Sequence, residues 1–216
     1  MKKKPRGKGV SKQGIAHIAG FVYETGIHRH TPRSGFWFLG SGEQSIAEHL
    51  FRTAFIAYAL AKSTPGVDPY RTVLMALAHD LGEGRTGDLN YVHQRYGRLS
   101  EKHAIEDLAK TVPFGAELLE LYVEEQGRAT PMAKLVKDAD NLEWIASLRE
   151  EETKGNNKAR EWAKDALKRL KTPIGKKLGK ALFAMHPDDW WHDPSDPWFV
   201  GRKEKDRKWR SVKRKS

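Results

Sequence analysis

Six ionisable residues sit in stretches that are otherwise apolar, and they are the ones able to do chemistry: His49, His79, Asp80, Glu83, Asp138 and Asp140. An unpaired charge among apolar side chains is costly, so ionisable groups kept there point to a ligand or to one another. Imidazole nitrogens and carboxylate oxygens together suit a divalent transition ion such as Mn²⁺, Co²⁺, Fe²⁺, Ni²⁺ or Zn²⁺. Such an ion polarises a phosphoryl oxygen and brings the pKa of a water towards neutrality. A carboxylate beside it, here Glu83, can orient or deprotonate that water or protonate the leaving oxygen. Each residue alone has a plainer reading. A lone His in an apolar helix is usually a hydrogen-bonded core residue, a His-Asp pair arises by chance, and a helical Asp usually faces water. The joint occurrence favours a metal site.

The elements that must position these groups read as helices. Ser45-Ile46-Ala47-Glu48 matches a capping box, and an Ala-rich apolar run follows to about Ala61 without Gly or Pro. Ser63-Thr64-Pro65-Gly66 breaks the run, and Pro69 suits the first turn of a second helix over about 70–81. Two helices joined by a short loop pack antiparallel. His49 lies about 14 residues before that loop and His79 about 11 after it, a depth mismatch of only about 4–5 Å at 1.5 Å per residue. Glu83 follows the His-Asp pair by four and three residues and can share its face, unless the helix unwinds at Gly82. Asp138 and Asp140 are separated by roughly 200° around a helix, so only one of them can face a pocket; spacing alone leaves the choice even. Further helices are expected at 100–111, 115–126, 130–152, 157–170 and 173–185. No period-two alternation predicts a strand, and residues 9–44 read as loop or short helix.

The 216 residues suit one domain. The absence of cysteine excludes disulfides, thiolate ligands and cysteine nucleophiles, and is compatible with a reducing cytoplasm. No apolar run approaches the ~20 residues of a membrane span, and none follows the basic N-terminus as a secretory signal would. The net charge of +11 is concentrated at the ends. Residues 1–8 hold five Lys/Arg, and 202–215 hold nine against Glu204 and Asp206, which leaves the body near neutral. Weak nucleic-acid contact is therefore an expectation for the tails and not for the body. His93 and His103, in polar surroundings, read as surface residues rather than a second metal site. Trp190, Trp191 and Trp198 are expected to pack a Pro-rich terminal segment onto the helical body.

Four segments in order carry a family resemblance: Ser45–His49, Ala78-His79-Asp80-Leu81-Gly82-Glu83, Thr86-Gly87-Asp88-Leu89 and Lys137-Asp138-Ala139-Asp140. Together they resemble the signature of HD-domain phosphohydrolases, in the branch of bacterial 5′-deoxynucleotidases and oxetanocin-like HD-domain proteins. Pro32-Arg33-Ser34-Gly35-Phe36-Trp37 is similar to that branch's stretch before the first His, with Phe36 standing where relatives tend to have the Trp. The resemblance implies an all-α HD-domain helical bundle over about residues 10–195, flanked by basic, flexible tails at 1–9 and 196–216. It implies one divalent ion (Mn, Co, Zn, Ni, Fe or Mg) held by His49, His79, Asp80 and Asp140. Glu83 and Asp88 would be catalytic, and Arg33 and Trp37 would contact phosphate and sugar. The implied reaction is hydrolysis of a (deoxy)nucleoside 5′-monophosphate by a cytoplasmic homodimer. The alternatives are an HD phosphohydrolase or phosphodiesterase acting on another phosphorylated small molecule, or a non-catalytic nucleotide- or nucleic-acid-binding protein.

Overall fold

The computed structural model describes residues 11–203. The basic segment 1–9 and the end of the C-terminal one lie outside them, and with them the nucleic-acid contact expected of the tails. Among the described residues the chain is helical, apart from one isolated bridge between Pro32 and Ser45.

The helices run α1 (Lys12–Thr25), α2 (Gly35–Leu39), α3 (Ile46–Lys62), α4 (Pro69–Ala78), α5 (Glu83–Thr86), α6 (Glu101–Ala109) and α7 (Gly115–Gly127). Then follow α8 (Pro131–Thr153), α9 (Asn157–Arg169), α10 (Pro173–Ala184) and α11 (Pro197–Gly201). The seven helices expected from periodicity and caps are all present, within a few residues of their expected ends. The caps form as the sequence suggests. Ser45 accepts from Glu48 N while the Glu48 carboxylate accepts from Ser45 N. Asp68 and Thr130 cap α4 and α8 ahead of Pro at the first helical position.

Two expectations need correction. Residues 12–25 form a fourteen-residue helix capped by Ser11, longer than the loop or short helix expected there, although none of its residues is buried. Trp190 and Trp191 are exposed rather than packed on the body; Trp191 meets Phe199, within its own terminal segment, at 5.9 Å between ring centroids. Within the segment expected as tail from residue 196, Pro197–Gly201 forms the short helix α11, capped by Asp196.

α8 is the axis of the fold. Leu135, Val136, Ala139, Leu142 and Ile145 are buried against Ala57, Leu60 and Ala61 of α3, Met75, Ala76 and Ala78 of α4, and Ala166 and Leu170 near the end of α9. A helix enclosed on so many sides can hold polar residues only where each has a partner. Asp138 meets that condition. It is fully buried and accepts from Lys171 N (2.8 Å), Thr172 N (2.7 Å) and Thr172 Oγ1 (2.6 Å), which ties α8 to the start of α10. The approach is so close that a Cβ on Gly175 would sit 2.3 Å from Asp138 Oδ2. α2 closes the other end of α8, with Phe36 and Leu39 packed on Leu148, Ala159 and Ala163.

Candidate metal centre

α3 and α4 run side by side and bring His49 and His79 to 5.6 Å between ring centroids, as the loop arithmetic anticipated. α4 ends at Ala78, earlier than expected, so His79–Gly82 is a turn and Glu83 opens a separate short helix. The unwinding comes ahead of Gly82, and Glu83 still reaches the centre because the turn folds back on itself, with Glu83 N donating to Asp80 O at 3.0 Å. His28 braces this turn from below, with a ring nitrogen 3.2 Å from Leu81 O.

His49 Nε2 lies 3.5 Å from both Asp80 Oδ2 and Asp140 Oδ1, and His79 Nε2 lies 3.3 Å from Asp80 Oδ2. One ligand atom each from His49, His79 and Asp140 falls within 4.8 Å of the others. The tautomers follow from the outer bonds. His79 Nδ1 is 2.7 Å from Ala76 O, a pure acceptor, so it carries the proton and Nε2 presents a lone pair. His49 Nδ1 is 2.8 Å from Glu143 Oε2 and donates in the same way. Both imidazoles therefore aim lone pairs at one point, as metal-binding histidines do when their other nitrogen is anchored. Two of the atoms aimed there, His79 Nε2 and Asp80 Oδ2, are buried without a hydrogen-bond partner. That is an unfavourable arrangement for a polar interior, and a cation would relieve it. The donor set fits a divalent ion.

Glu143 was not among the residues singled out from sequence. It is fully buried, and its Oε1 accepts from Gln44 Nε2 (2.7 Å), Arg52 Nε (3.0 Å) and Ser147 Oγ (3.0 Å). Burial alone would raise its carboxyl, but the hydrogen bond from His49, then Arg52 and Gln44, hold it at about 2. The available signal was its position three residues after Asp140, on the same face of a buried helix. Lys137, also unassigned from sequence, donates to Asp140 Oδ2 at 2.6 Å. Burial opposes ionisation of Asp140, yet Lys137, with Arg33 beside it, holds it well below the usual carboxylate range.

The bridge at Pro32 and Ser45 pins the preceding loop to the start of α3, with Arg33 N donating to Gln44 O and Ile46 N to Thr31 O. Arg33 is thereby turned into the site. Its Nη1 is 3.5 Å from Asp80 Oδ2 and its Nη2 3.9 Å from Asp140 Oδ1. Burial works against the guanidinium, but the carboxylates of Asp80, Asp140, Asp88 and Glu83 raise it, so its charge is permanent. Asp88 clasps this loop: its Oδ2 accepts from Ser34 N (2.7 Å) and Ser34 Oγ (3.2 Å). Glu83 is buried and its Oε2 has no partner. Burial, then the charges of Asp80 and Asp88, push its carboxyl up to about 10 in the metal-free protein.

The remaining expected residues lie apart. Trp37 is exposed, its ring 6.1 Å from that of His93, while the preceding Phe36 is buried edge-on against Trp144. His93 and His103 are exposed and bond locally to Asn90 and Ser100.

The HD-domain family profile matches residues 25–182. The chain belongs to the HD-domain family. It is 32% identical to a 5′-deoxynucleotidase of Schizosaccharomyces pombe, over 58% of this chain and 68% of that protein. It is also 32% identical to the 5′-deoxynucleotidase YfbR of Escherichia coli, over 53% of this chain and 64% of that one. Among solved structures it resembles a protein described as a predicted metal-dependent phosphohydrolase from Magnetospirillum magnetotacticum, with a TM-score of 0.64 and 25% identity over 80% of this chain and 94% of that chain. As an HD-domain protein with such relatives, the chain is a metal-dependent phosphohydrolase. No helix among the described residues is long and apolar enough to cross a membrane.

Proposed function

We propose that this enzyme hydrolyses nucleoside 5′-monophosphates, with a preference for deoxyribose, to nucleoside and phosphate. The observation that carries the reading is the convergence of His49 Nε2, His79 Nε2, Asp80 Oδ2 and Asp140 Oδ1 on one buried point, with orphaned atoms among them.

His49, His79, Asp80 and Asp140 would hold one divalent ion. When bound, it supplies Lewis-acid polarisation of a phosphoryl oxygen and a lowered pKa for water. Arg33 meets the phosphate. Its ion pairs at 3.5 and 3.9 Å are long for a guanidinium–carboxylate contact, so they can be exchanged for phosphoryl oxygens. Glu83 handles the proton: with Oε2 unpartnered and its carboxyl raised, it stands ready to protonate the leaving 5′ oxygen. Asp88 acts through Ser34, holding the Arg33 loop in place. Trp37, at the outer edge of α2, is assigned to the sugar. The domain is proposed to extend over residues 10–195, and a homodimer to be the working assembly.

The test is phosphate release from a panel of ribo- and deoxyribonucleoside 5′-monophosphates. Metal-stripped protein reloaded with Mn²⁺, Co²⁺, Mg²⁺ or Zn²⁺ is assayed beside Asp80→Ala and Glu83→Ala. Metal-dependent turnover lost in both variants supports the reading. Metal binding without turnover of any member removes the nucleotide assignment and sends the search to other phosphorylated substrates.

A further inference from the structure

The outer face of α3 has no partner among the described residues. Its inner side carries His49, Thr53 and Ala57 into the fold. Opposite them, Glu48, Phe51, Phe55, Tyr58, Ala59 and Lys62 line the outside, with Arg52 half-buried beside them. Glu48, Phe51, Phe55, Tyr58 and Lys62 follow one another by three or four residues, the spacing of a single helix face. Phe51 and Phe55 are 66% and 63% exposed, with their rings 5.1 Å apart, and Tyr58 is flanked by Tyr70 of α4, 75% exposed. Scattered exposed apolar residues are ordinary, but a contiguous aromatic stripe marks an interaction surface.

We infer that this stripe pairs with the same stripe of a second copy, antiparallel, about a two-fold axis at Phe55. The inference rests on the homodimer proposed above and names its surface. The argument is the symmetry of the sequence about that residue. An antiparallel pair centred on Phe55 sets Glu48 opposite Lys62 and Phe51 opposite Ala59. Both appositions are favourable. An acid meets a base at each end, and a large apolar side chain meets a small one. An isologous interface requires such self-complementarity. Glu48 spends Oε2 on its own cap, with Ser45 N at 2.6 Å, and Lys62 is exposed in the last turn of the helix. The area is of the right order. Four aromatics with this exposure offer roughly 500 Å² per protomer, and the flanking charged side chains bring the face near the ~800 Å² of a standard interface.

The surface also bears on the metal centre. Arg52, within the stripe, donates to Glu143, which accepts from His49. A groove of about 730 Å³ runs beside Phe51 and Phe55, with Gln44, Ser147 and Glu150 among its walls. The interface would therefore cover the outer end of the hydrogen-bond chain that orients a metal-binding imidazole.

Sedimentation velocity of the wild-type chain across micromolar concentrations is the first measurement, and a dimer is expected. Phe55→Asp and Lys62→Glu are expected to weaken it, the first by more than about tenfold, with helicity followed by circular dichroism. Because the chain has no cysteine, single Cys variants report the register. Phe55→Cys should cross-link to itself under a short thiol cross-linker. Ala59→Cys, whose copies lie on opposite sides of the axis, should not, whereas a mixture of Phe51→Cys and Ala59→Cys should. A wild-type monomer throughout would overturn both the homodimer and its surface. A dimer that survives Phe55→Asp, or cross-linking of Ala59→Cys to itself in preference to Phe51→Cys, would overturn the surface alone. Neither outcome touches the nucleotidase reading.

Discussion

Replacing Glu143 by Gln keeps the shape of a fully buried side chain and removes its charge. The wild-type carboxylate accepts on both oxygens: His49 Nδ1 on Oε2, and Gln44, Arg52 and Ser147 on Oε1. An amide has one accepting end, so the Glu143→Gln side chain must fail one side. With its oxygen towards His49, its NH₂ faces the donors of Gln44 and Arg52. With its NH₂ towards His49, Nδ1 must accept, and the ring proton moves to Nε2, the atom that faces Asp80 and Asp140 at 3.5 Å. That tautomer cannot bind a cation. The first orientation weakens a charge-assisted hydrogen bond of roughly 1.5–3 kcal/mol; the second blocks a ligand. Outer partners of metal-binding histidines typically contribute about 10–100-fold in affinity, or roughly 1.4–2.8 kcal/mol. The expected result is a loss of divalent-metal affinity within that range, measured by calorimetric titration or chelator competition on metal-stripped protein. Turnover should fall in parallel at limiting metal. A folded Glu143→Gln variant whose affinity stays within about twofold of wild type would refute the anchoring argument.

Asp138 and Asp140 should separate cleanly. Asp138→Ala orphans the Lys171 and Thr172 donors and is expected to lose about 2–4 kcal/mol, read by denaturant unfolding, while a folded fraction still binds metal. Asp140→Ala should lose metal binding while keeping its helical fold, read by circular dichroism. Glu83 gives a pH test: its folded-state pKa is raised, so its contribution is present below about 4.5 and lost as pH rises towards about 10. Metal-free Glu83→Gln should therefore melt above wild type at pH 8 while losing activity; a lower melting temperature would contradict the burial argument. Divalent metal, binding only the folded state, should raise the wild-type melting temperature with concentration, and Asp80→Ala should abolish the rise.

Local physics made much of this protein legible from its sequence. Capping groups at Ser45, Asp68 and Thr130, prolines at first helical positions and 3.6-residue apolar spacing act within a turn or two, so α3, α4 and α6 to α10 could be placed from their own residues. The pairing of His49 with His79 was legible for the same reason, because a short loop fixes the depth of an antiparallel pair. α1 was not, because Gly14 and Gly20 interrupt it: Ile15, Ile18 and Phe21 fall at helical spacing, but glycine is a poor helix former. Nor could spacing choose between Asp138 and Asp140. Both are ionisable residues in a buried helix, and the structure separates them by what lies opposite: the start of α10 for one, the imidazoles for the other. Which imidazole Glu143 anchors belongs to the tertiary structure alone. Its partner His49 is 94 residues away in sequence, and only the packing of α3 on α8 decides which buried carboxylate the imidazole meets. Hydrogen bonds across such separations leave no local period or cap. They exist only once burial has removed water as the competing partner.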